Sequence, residues 1–137
     1  WRIAMRPGKP LMFGAIGETP MLGLPGNPVS SLICGLVFVS AAIHKLLGRG
    51  GDYLETDTAR LGCDLPANDE RQDYLRATLT RADDGALVAA PFKQQESSML
   101  TRLASSQALI IRPPHAEPAF EGKVVPIVRI EGNNQAF

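Results

Sequence analysis

The chain has 137 residues, 45% of them hydrophobic and 20% charged, which is typical of a soluble globular protein with one ordinary domain or two small ones. Fourteen basic residues balance fourteen acidic ones, so the net charge gives no reason to expect nucleic acid or a membrane surface as a partner. Cys34 and Cys63 lack metal-binding spacing and are predicted to be buried thiols in a reducing compartment, and no export signal is visible.

Residues 1–50 are predicted to be the end of an α/β unit. Three short apolar strands at residues 2–6, 11–16 and 20–24 are expected to belong to a parallel or mixed sheet that is covered on both faces. A helix over residues 28–47 follows, and its apolar stripe is so wide that it should pack on more than one side. Its uncharged part is shorter than the roughly 20 residues of a membrane span, which favours a buried core helix.

The turn at residues 23–30, Gly-Leu-Pro-Gly-Asn-Pro-Val-Ser, joins the third strand to this helix. Asn27 is a suitable N-cap and Pro28 suits the first helical position. Unpaired backbone N–H groups and the positive end of the helix dipole make such a helix start a candidate anion site, which Pro25 and Pro28 would hold rigid. The alternative is a tight strand-to-helix turn with Gly26 at a positive φ and no ligand.

A flexible joint at residues 49–52 leads to a second unit, residues 54–137, in which apolar and polar residues alternate. The expected elements are strands at residues 74–80, 87–90, 108–112 and 123–130, with a helical turn within residues 98–105. The turn Asp83-Asp84-Gly85 predicts a hairpin between the first two of these strands, and Pro126 predicts an edge position or a bulge in the last. Five or so short strands favour a small β-barrel.

Two motifs in this order, Arg6-Pro7-Gly8-Lys9-Pro10 and the turn at residues 23–30, resemble the paired signature of the molybdopterin molybdenumtransferase family, to which the E domain of gephyrin also belongs. The resemblance continues through Arg-Gln-Asp-Tyr-Leu-Arg at residues 71–76 and Gln-Glu-Ser-Ser-Met-Leu at residues 95–100. It therefore covers essentially the whole chain, which is identified as the C-terminal part of such a protein.

The resemblance implies a fold for each unit. Residues 1–50 would be an α/β remnant, the C-terminal part of a three-layer α/β/α molybdopterin-binding domain. Residues 54–137 would be a small all-β barrel domain.

The same resemblance implies a reaction, the insertion of molybdate into adenylylated molybdopterin with Mg²⁺ assisting. It also implies a homodimer whose active cleft uses both subunits, and a cytoplasmic location. The family's acidic residues for the metal and the hydrolysed bond are expected upstream. We therefore predict no catalytic residue and no metal ligand in this chain, which alone is expected to be inactive.

The resemblance assigns substrate-binding or anion-binding residues to both units. Those in the first unit are Arg2, Arg6, Lys9, Pro25, Gly26, Asn27, Pro28 and Ser30. Arg2 and Arg6 stand where the family usually has lysines, and four-residue spacing places them on one face of a strand. The alternative for Arg2, Arg6 and Lys9 is solvated charge at a strand end.

The second unit contributes Arg76 and Ser97 to this set. The alternative for Arg76 is an exposed cross-strand charge set with Arg71 and Asp73, which would contribute little to stability. Glu96 stands where the family commonly has Gly, and its negative charge would oppose an incoming anion.

Three functions remain open from the sequence. The first is the C-terminal part of the molybdate-inserting enzyme, and the second is a scaffold of the gephyrin type with no catalytic role. The third is a sugar- or nucleotide-phosphate enzyme that shares only the turn. If the chain is such a C-terminal part, the helix at residues 28–47 lacks the sheet that it would cover, and it is expected to find another packing partner or to leave an exposed apolar patch.

Overall fold

The computed structural model of the chain describes residues 3–51, 53–93 and 105–130. The strands are β1 (Met5–Arg6), β2 (Met12–Ile16), β3 (Thr19–Gly23), β4 (Thr56–Leu61), β5 (Gln72–Arg81), β6 (Leu87–Pro91), β7 (Ala108–Arg112) and β8 (Val124–Arg129). One continuous helix lies between β3 and β4 and consists of α1 (Pro28–Cys34), a π-helical segment (Gly35–Val39) and α2 (Ser40–Leu46).

Five strands close into a β-barrel, as the sequence predicted. Their order is β5-β6-β4-β8-β7, and β7 pairs back with β5. The pairs are antiparallel except β4 with β6, which is parallel. Alternate side chains fill a narrow interior, for which the small side chains of Ala59, Ala77, Ala89 and Ala108 are suited. The predicted hairpin at Asp83-Asp84-Gly85 joins β5 to β6.

The first three strands do not share a sheet, so the predicted parallel or mixed sheet is wrong. Strands β2 and β3 form a separate antiparallel hairpin, whose loop begins at Gly17 with a φ of 60°. Strand β1 instead pairs in parallel with β5 of the barrel, through Met5 opposite Gln72. The hairpin is not covered on both faces, since Phe13 is 69% and Ile16 72% exposed. Short apolar runs do not reveal which strand they pair with, which explains the error.

The helix packs against the barrel mainly through α1, with partly buried side chains of the π-helical segment beside it. Val29, Ile33 and Cys34 are buried in a cluster with Met5, Leu11, Tyr74, Leu109 and Val128. The π-helical segment and α2 contain no buried residue, and Leu46 is 71% exposed. Within the described residues the helix packs on one side, so packing on more than one side stays a prediction, whereas the alternative partner and the exposed apolar patch both occur.

By length and apolar composition alone, this helix could also cross a membrane. Such a criterion is equally met by core helices of soluble folds. Because Ile33 and Cys34 are fully buried against the barrel, the first half of this helix belongs to the core of the fold.

Two further predictions need correction. Strand β8 is not at an edge, because it lies between β4 and β7. Pro126 stands opposite Thr58 of β4. It lies beyond the β7–β8 register, which ends at Ile110 opposite Ile127, so the N–H that proline lacks is not needed for pairing with β7. Cys34 is buried as predicted, but Cys63 is exposed just after β4. The helical turn expected within residues 98–105 falls almost wholly outside the described residues.

The domain boundary between residues 50 and 54 stays a prediction. The pairing of β1 with β5 and the cluster that Val29 shares with Tyr74 link the two predicted units.

Candidate functional site

The helix start is capped by its own side chain. Asn27 Oδ1 accepts hydrogen bonds from the backbone N–H of Val29 at 3.0 Å and of Ser30 at 3.2 Å, and Pro28 occupies the first helical position. The predicted N-cap is therefore confirmed. Two of the N–H groups expected to meet an anion already have an acceptor, and those of Gly26 and Asn27 have none among the described residues.

Other contacts hold the turn in place. Pro25 is buried, and its carbonyl accepts a hydrogen bond from the hydroxyl of Ser31, a residue that the sequence analysis did not single out. Ser30 is 7% exposed. Gly26 is not among the glycines with positive φ, and a Cβ at this position would meet no atom within 4 Å. The positive φ considered for Gly26 is therefore wrong. The Asn27 cap and the hydrogen bond from Ser31 to Pro25 hold the turn, rather than a backbone conformation that only glycine adopts.

Arg76 lies in β5 on the side of the barrel that faces the helix. It is 1% exposed, and it is two residues from Tyr74, which packs with Val29. Since alternate residues of a strand share a face, Arg76 and the helix start lie on the same side of the barrel. The turn and Arg76, to which the resemblance assigns substrate or anion binding, therefore lie on one side of the barrel, and their roles stay predictions.

Arg6 is engaged elsewhere. Its Nε donates to Asp73 Oδ1 at 2.9 Å and its Nη2 to Asp73 Oδ2 at 2.6 Å, while Nη1 lies 3.5 Å from Asp69 Oδ2. Asp73 is 5% exposed and belongs to β5. Arg6 is thus neither an unpaired anion clamp nor a solvated strand-end charge, and its role in substrate binding stays a prediction.

The exposed charge set considered for Arg71, Asp73 and Arg76 is wrong. Asp73 pairs with Arg6, Arg76 is buried, and Arg71 donates to Asp69, with Nη2 2.5 Å from Oδ2. The hydrogen bonds from the Arg71 side chain and backbone lower the pKa of Asp69 to about 2. Asp69 is therefore ionised at any pH near neutrality and neutralises Arg71.

The remaining candidates are placed as follows. Lys9 is exposed in the turn after β1, and its carbonyl accepts a hydrogen bond from the N–H of Ile3 at 3.2 Å. Arg2, Ser97 and Glu96 lie outside the described residues. Their assignments stay predictions.

Within residues 3–51, 53–93 and 105–130, no three His, Cys, Asp or Glu side chains gather to form a possible metal site. The described residues therefore do not by themselves fit a Mg²⁺ site.

A family model for the MoeA C-terminal region (domain IV) matches residues 58–130, which contain four of the five barrel strands in full and β4 from its third residue onwards. The chain belongs to the MoeA family. The likeness extends to β1, β2, β3 and the helix. The crystal structure of a molybdopterin biosynthesis moeA protein from Pyrococcus horikoshii superposes on this chain with a TM-score of 0.75. That match has 27% sequence identity and covers 96% of this chain and 31% of the Pyrococcus chain.

Curated MoeA relatives show the same partial coverage. Molybdopterin molybdenumtransferase 2 of Mycobacterium tuberculosis is 31% identical over 109 residues, which are 80% of this chain and 26% of that protein. Molybdopterin molybdenumtransferase of Bacillus subtilis is 29% identical over 133 residues, which are 97% of this chain and 31% of that protein. The chain therefore spans between a quarter and a third of the length of these MoeA relatives.

Sequence reasoning missed Asp73 as the partner of Arg6. One signal was available, because Asp73 is in phase with Leu75 and Ala77, whose alternation predicts the barrel interior. A carboxylate on an interior face needs a cation nearby. Nothing in the sequence indicated that Arg6 would supply it from a strand 67 residues away.

Proposed function

We propose that this MoeA chain is the C-terminal part of an enzyme that inserts molybdate into adenylylated molybdopterin to form the molybdenum cofactor. The observation that carries the proposal is the match of residues 58–130 to the MoeA C-terminal region, together with relatives named molybdopterin molybdenumtransferase that align with 80% and 97% of the chain. Molybdopterin and molybdate would be the substrates and Mg²⁺ the cofactor. Mg²⁺ would neutralise phosphate charge, and its ligands would come from elsewhere in the protein.

The contribution of this chain would be to bind and orient an anion on the helix side of the barrel. The N–H groups of Gly26 and Asn27 are available as donors, and the helix dipole adds partial positive charge beside them. Arg76 supplies a buried guanidinium on the same side. A cation and oriented N–H groups in a site shielded from water favour a bound phosphate or molybdate much more than they would in open solvent.

Residues 1–50 would belong to a three-layer α/β/α molybdopterin-binding domain. The exposed apolar side chains of Phe13, Ile16 and Leu46 support this assignment, since they would be covered by the remainder of such a domain or by a second subunit. A cytoplasmic homodimer is the form we propose, and the chain alone would be inactive.

The experiment is restoration of a molybdenum-dependent reporter enzyme in cells that lack their own molybdopterin molybdenumtransferase. Gly26→Asp is a sharp test variant, because the new side chain meets open space and adds a negative charge at the proposed anion site. Gly50→Asp, which also meets open space, is the matched control. Because the chain alone is proposed to be inactive, each variant is made in the full-length protein that contains it. We expect the unaltered full-length protein and its Gly50→Asp variant to restore the reporter, and Gly26→Asp to lower reporter activity at least tenfold.

The same experiment separates an enzyme from a scaffold. A scaffold with no catalytic role would leave the reporter enzyme inactive with every variant. Full restoration by Gly26→Asp would instead contradict the anion site at the helix start while leaving the enzymatic function intact.

A further inference from the structure

The mouth of the barrel is a cleft of about 430 Å³ on the side where β4 ends and β5 begins. Leu65, Leu75 and Phe92 provide apolar walls, and Arg6, Lys93 and Arg112 are its cations. Volumes of this size, with apolar walls and a few polar groups, are typical of small-molecule sites, and barrel mouths are a common location for them. The cleft differs from the helix start, because Asp73, Leu75 and Arg112 belong to the inward face of the strands.

Arg112 is the most informative residue of this cleft. It is only 5% exposed, and its Nη2 donates to the carbonyl oxygens of Pro66 at 2.8 Å and Glu117 at 2.9 Å. These carbonyls satisfy hydrogen bonds but supply no negative charge. Within the described part of the chain, Arg112 forms no ion pair, and its Nε and Nη1 make no hydrogen bond. A largely buried guanidinium is costly without a nearby anion.

The carboxylates of the cleft are already engaged. Asp73, which stands opposite Arg112 in the β5–β7 register, directs both oxygens to Arg6. Asp64 accepts a hydrogen bond from the N–H of Glu121 at 2.7 Å. Lys93 forms no ion pair with a described residue. Among the described residues, the cleft therefore has three cations against two carboxylates, and the cations with no ion-pair partner in that set are Lys93 and Arg112.

We propose that the barrel mouth binds a small organic oxyanion, in which a phosphate or carboxylate is attached to an aromatic or apolar body. The oxyanion would meet the free edge of the Arg112 guanidinium and the Lys93 ammonium, since a planar guanidinium binds such groups through two parallel N–H donors. The body would lie against Phe92 and Leu65. This site is independent of the proposed molybdate insertion, because neither Lys93 nor Arg112 belongs to the anion site at the helix start.

Cys63 provides a reporter, because this exposed thiol lines the same cleft whereas Cys34 is buried. The experiment measures the rate of Cys63 alkylation by iodoacetamide in the natural protein, by mass spectrometry, with millimolar phenyl phosphate, benzoate, inorganic phosphate or benzyl alcohol. We expect phenyl phosphate or benzoate to slow alkylation at least threefold. Inorganic phosphate should protect less and neutral benzyl alcohol not at all.

Three variants decide whether the protection depends on these cations. Lys93→Gln changes an exposed side chain and should fold normally, and Arg112→Gln removes the buried charge. Both should reduce the protection of Cys63 at least threefold. Arg129→Gln, at the end of the barrel remote from Cys63, should leave it unchanged. No protection by either organic anion, or full protection in Lys93→Gln, would overturn the proposal, whichever way the molybdate-insertion experiment ends.

Discussion

Arg6 in β1 and Asp73 in β5 form a two-point ion pair, with Nε–Oδ1 and Nη2–Oδ2 distances of 2.9 and 2.6 Å. The pair lies beside the parallel register in which Met5 stands opposite Gln72, so side chains and backbone join β1 to the barrel at one place. Asp73 is buried and Arg6 about half exposed. Breaking the pair leaves a buried carboxylate without its main partner.

We expect Arg6→Met to lower the free energy of unfolding by about 1–3 kcal/mol, measured by urea denaturation at neutral pH. Arg60→Met is the matched control, because Arg60 pairs with Asp84 and both side chains are about half exposed. The control should cost less than about 1 kcal/mol. Equal losses in the two variants would show that the Arg6–Asp73 pair contributes no more than a surface ion pair.

The N-cap predicts a second stability effect. Asn27→Ala removes the acceptor for the N–H groups of Val29 and Ser30, so the free energy of unfolding should fall by about 1 kcal/mol. Asn27→Ser retains a short oxygen acceptor and should recover most of that loss. A stability of Asn27→Ala equal to that of the natural protein would argue against the cap.

The uneven packing of the helix predicts opposite outcomes at two apolar positions. Ile33 is fully buried in the cluster with Tyr74, so Ile33→Ala should cost about 2–5 kcal/mol of unfolding free energy. Leu46 is 71% exposed in the chain by itself, so in a protein of these 137 residues Leu46→Ala should change the value by about 0.5 kcal/mol or less. A large loss at Leu46, measured in the same denaturation series, would mean that another surface covers this end of the helix.

Asp69 predicts a pH dependence. Its pKa is lowered to about 2 by hydrogen bonds from Arg71, so its ionised form stabilises the folded state. That stabilisation is present above the unfolded pKa near 4 and is lost as the pH falls towards 2. In urea titrations Asp69→Asn should therefore be less stable than the natural protein at pH 6, with the difference shrinking by pH 2. Asp83→Asn, which removes no ion pair among the described residues, should show no such convergence.

The sequence predicted the barrel because several short strands follow one another, because β5 alternates polar and apolar residues up to the turn Asp83-Asp84-Gly85, and because Pro113 ends β7 where the structure ends it. The N-cap at Asn27 was equally readable, since capping depends on local geometry alone. Strand partners were not readable. Nothing in the two residues of β1 indicates that they pair with β5 rather than with β2, because pairing depends on contacts across the whole fold.

The candidate site, like the fold, could be predicted from the sequence only where the signal is local. The turn at residues 23–30 was identified by its motif and Arg76 only by the family resemblance; both binding assignments stay predictions, and the fold places the two on one side of the barrel. The ion-pair partner of Arg6 comes from β5. The carbonyls that accept hydrogen bonds from Arg112 come from the loops at Pro66 and Glu117. Ion pairs of this kind join positions that share no local pattern.

The anion site at the helix start is tested most directly by calorimetric titration of the natural protein and of Asn27→Asp with molybdopterin. An aspartate caps a helix as well as an asparagine, so the unfolding midpoint should not fall. Its negative charge would repel a phosphate a few ångströms away by about 1–4 kcal/mol, which corresponds to an affinity about fivefold to several hundredfold weaker. We expect molybdopterin to bind the natural protein and to bind Asn27→Asp at least about fivefold more weakly; equal affinity for the two proteins would contradict an anion site at this turn.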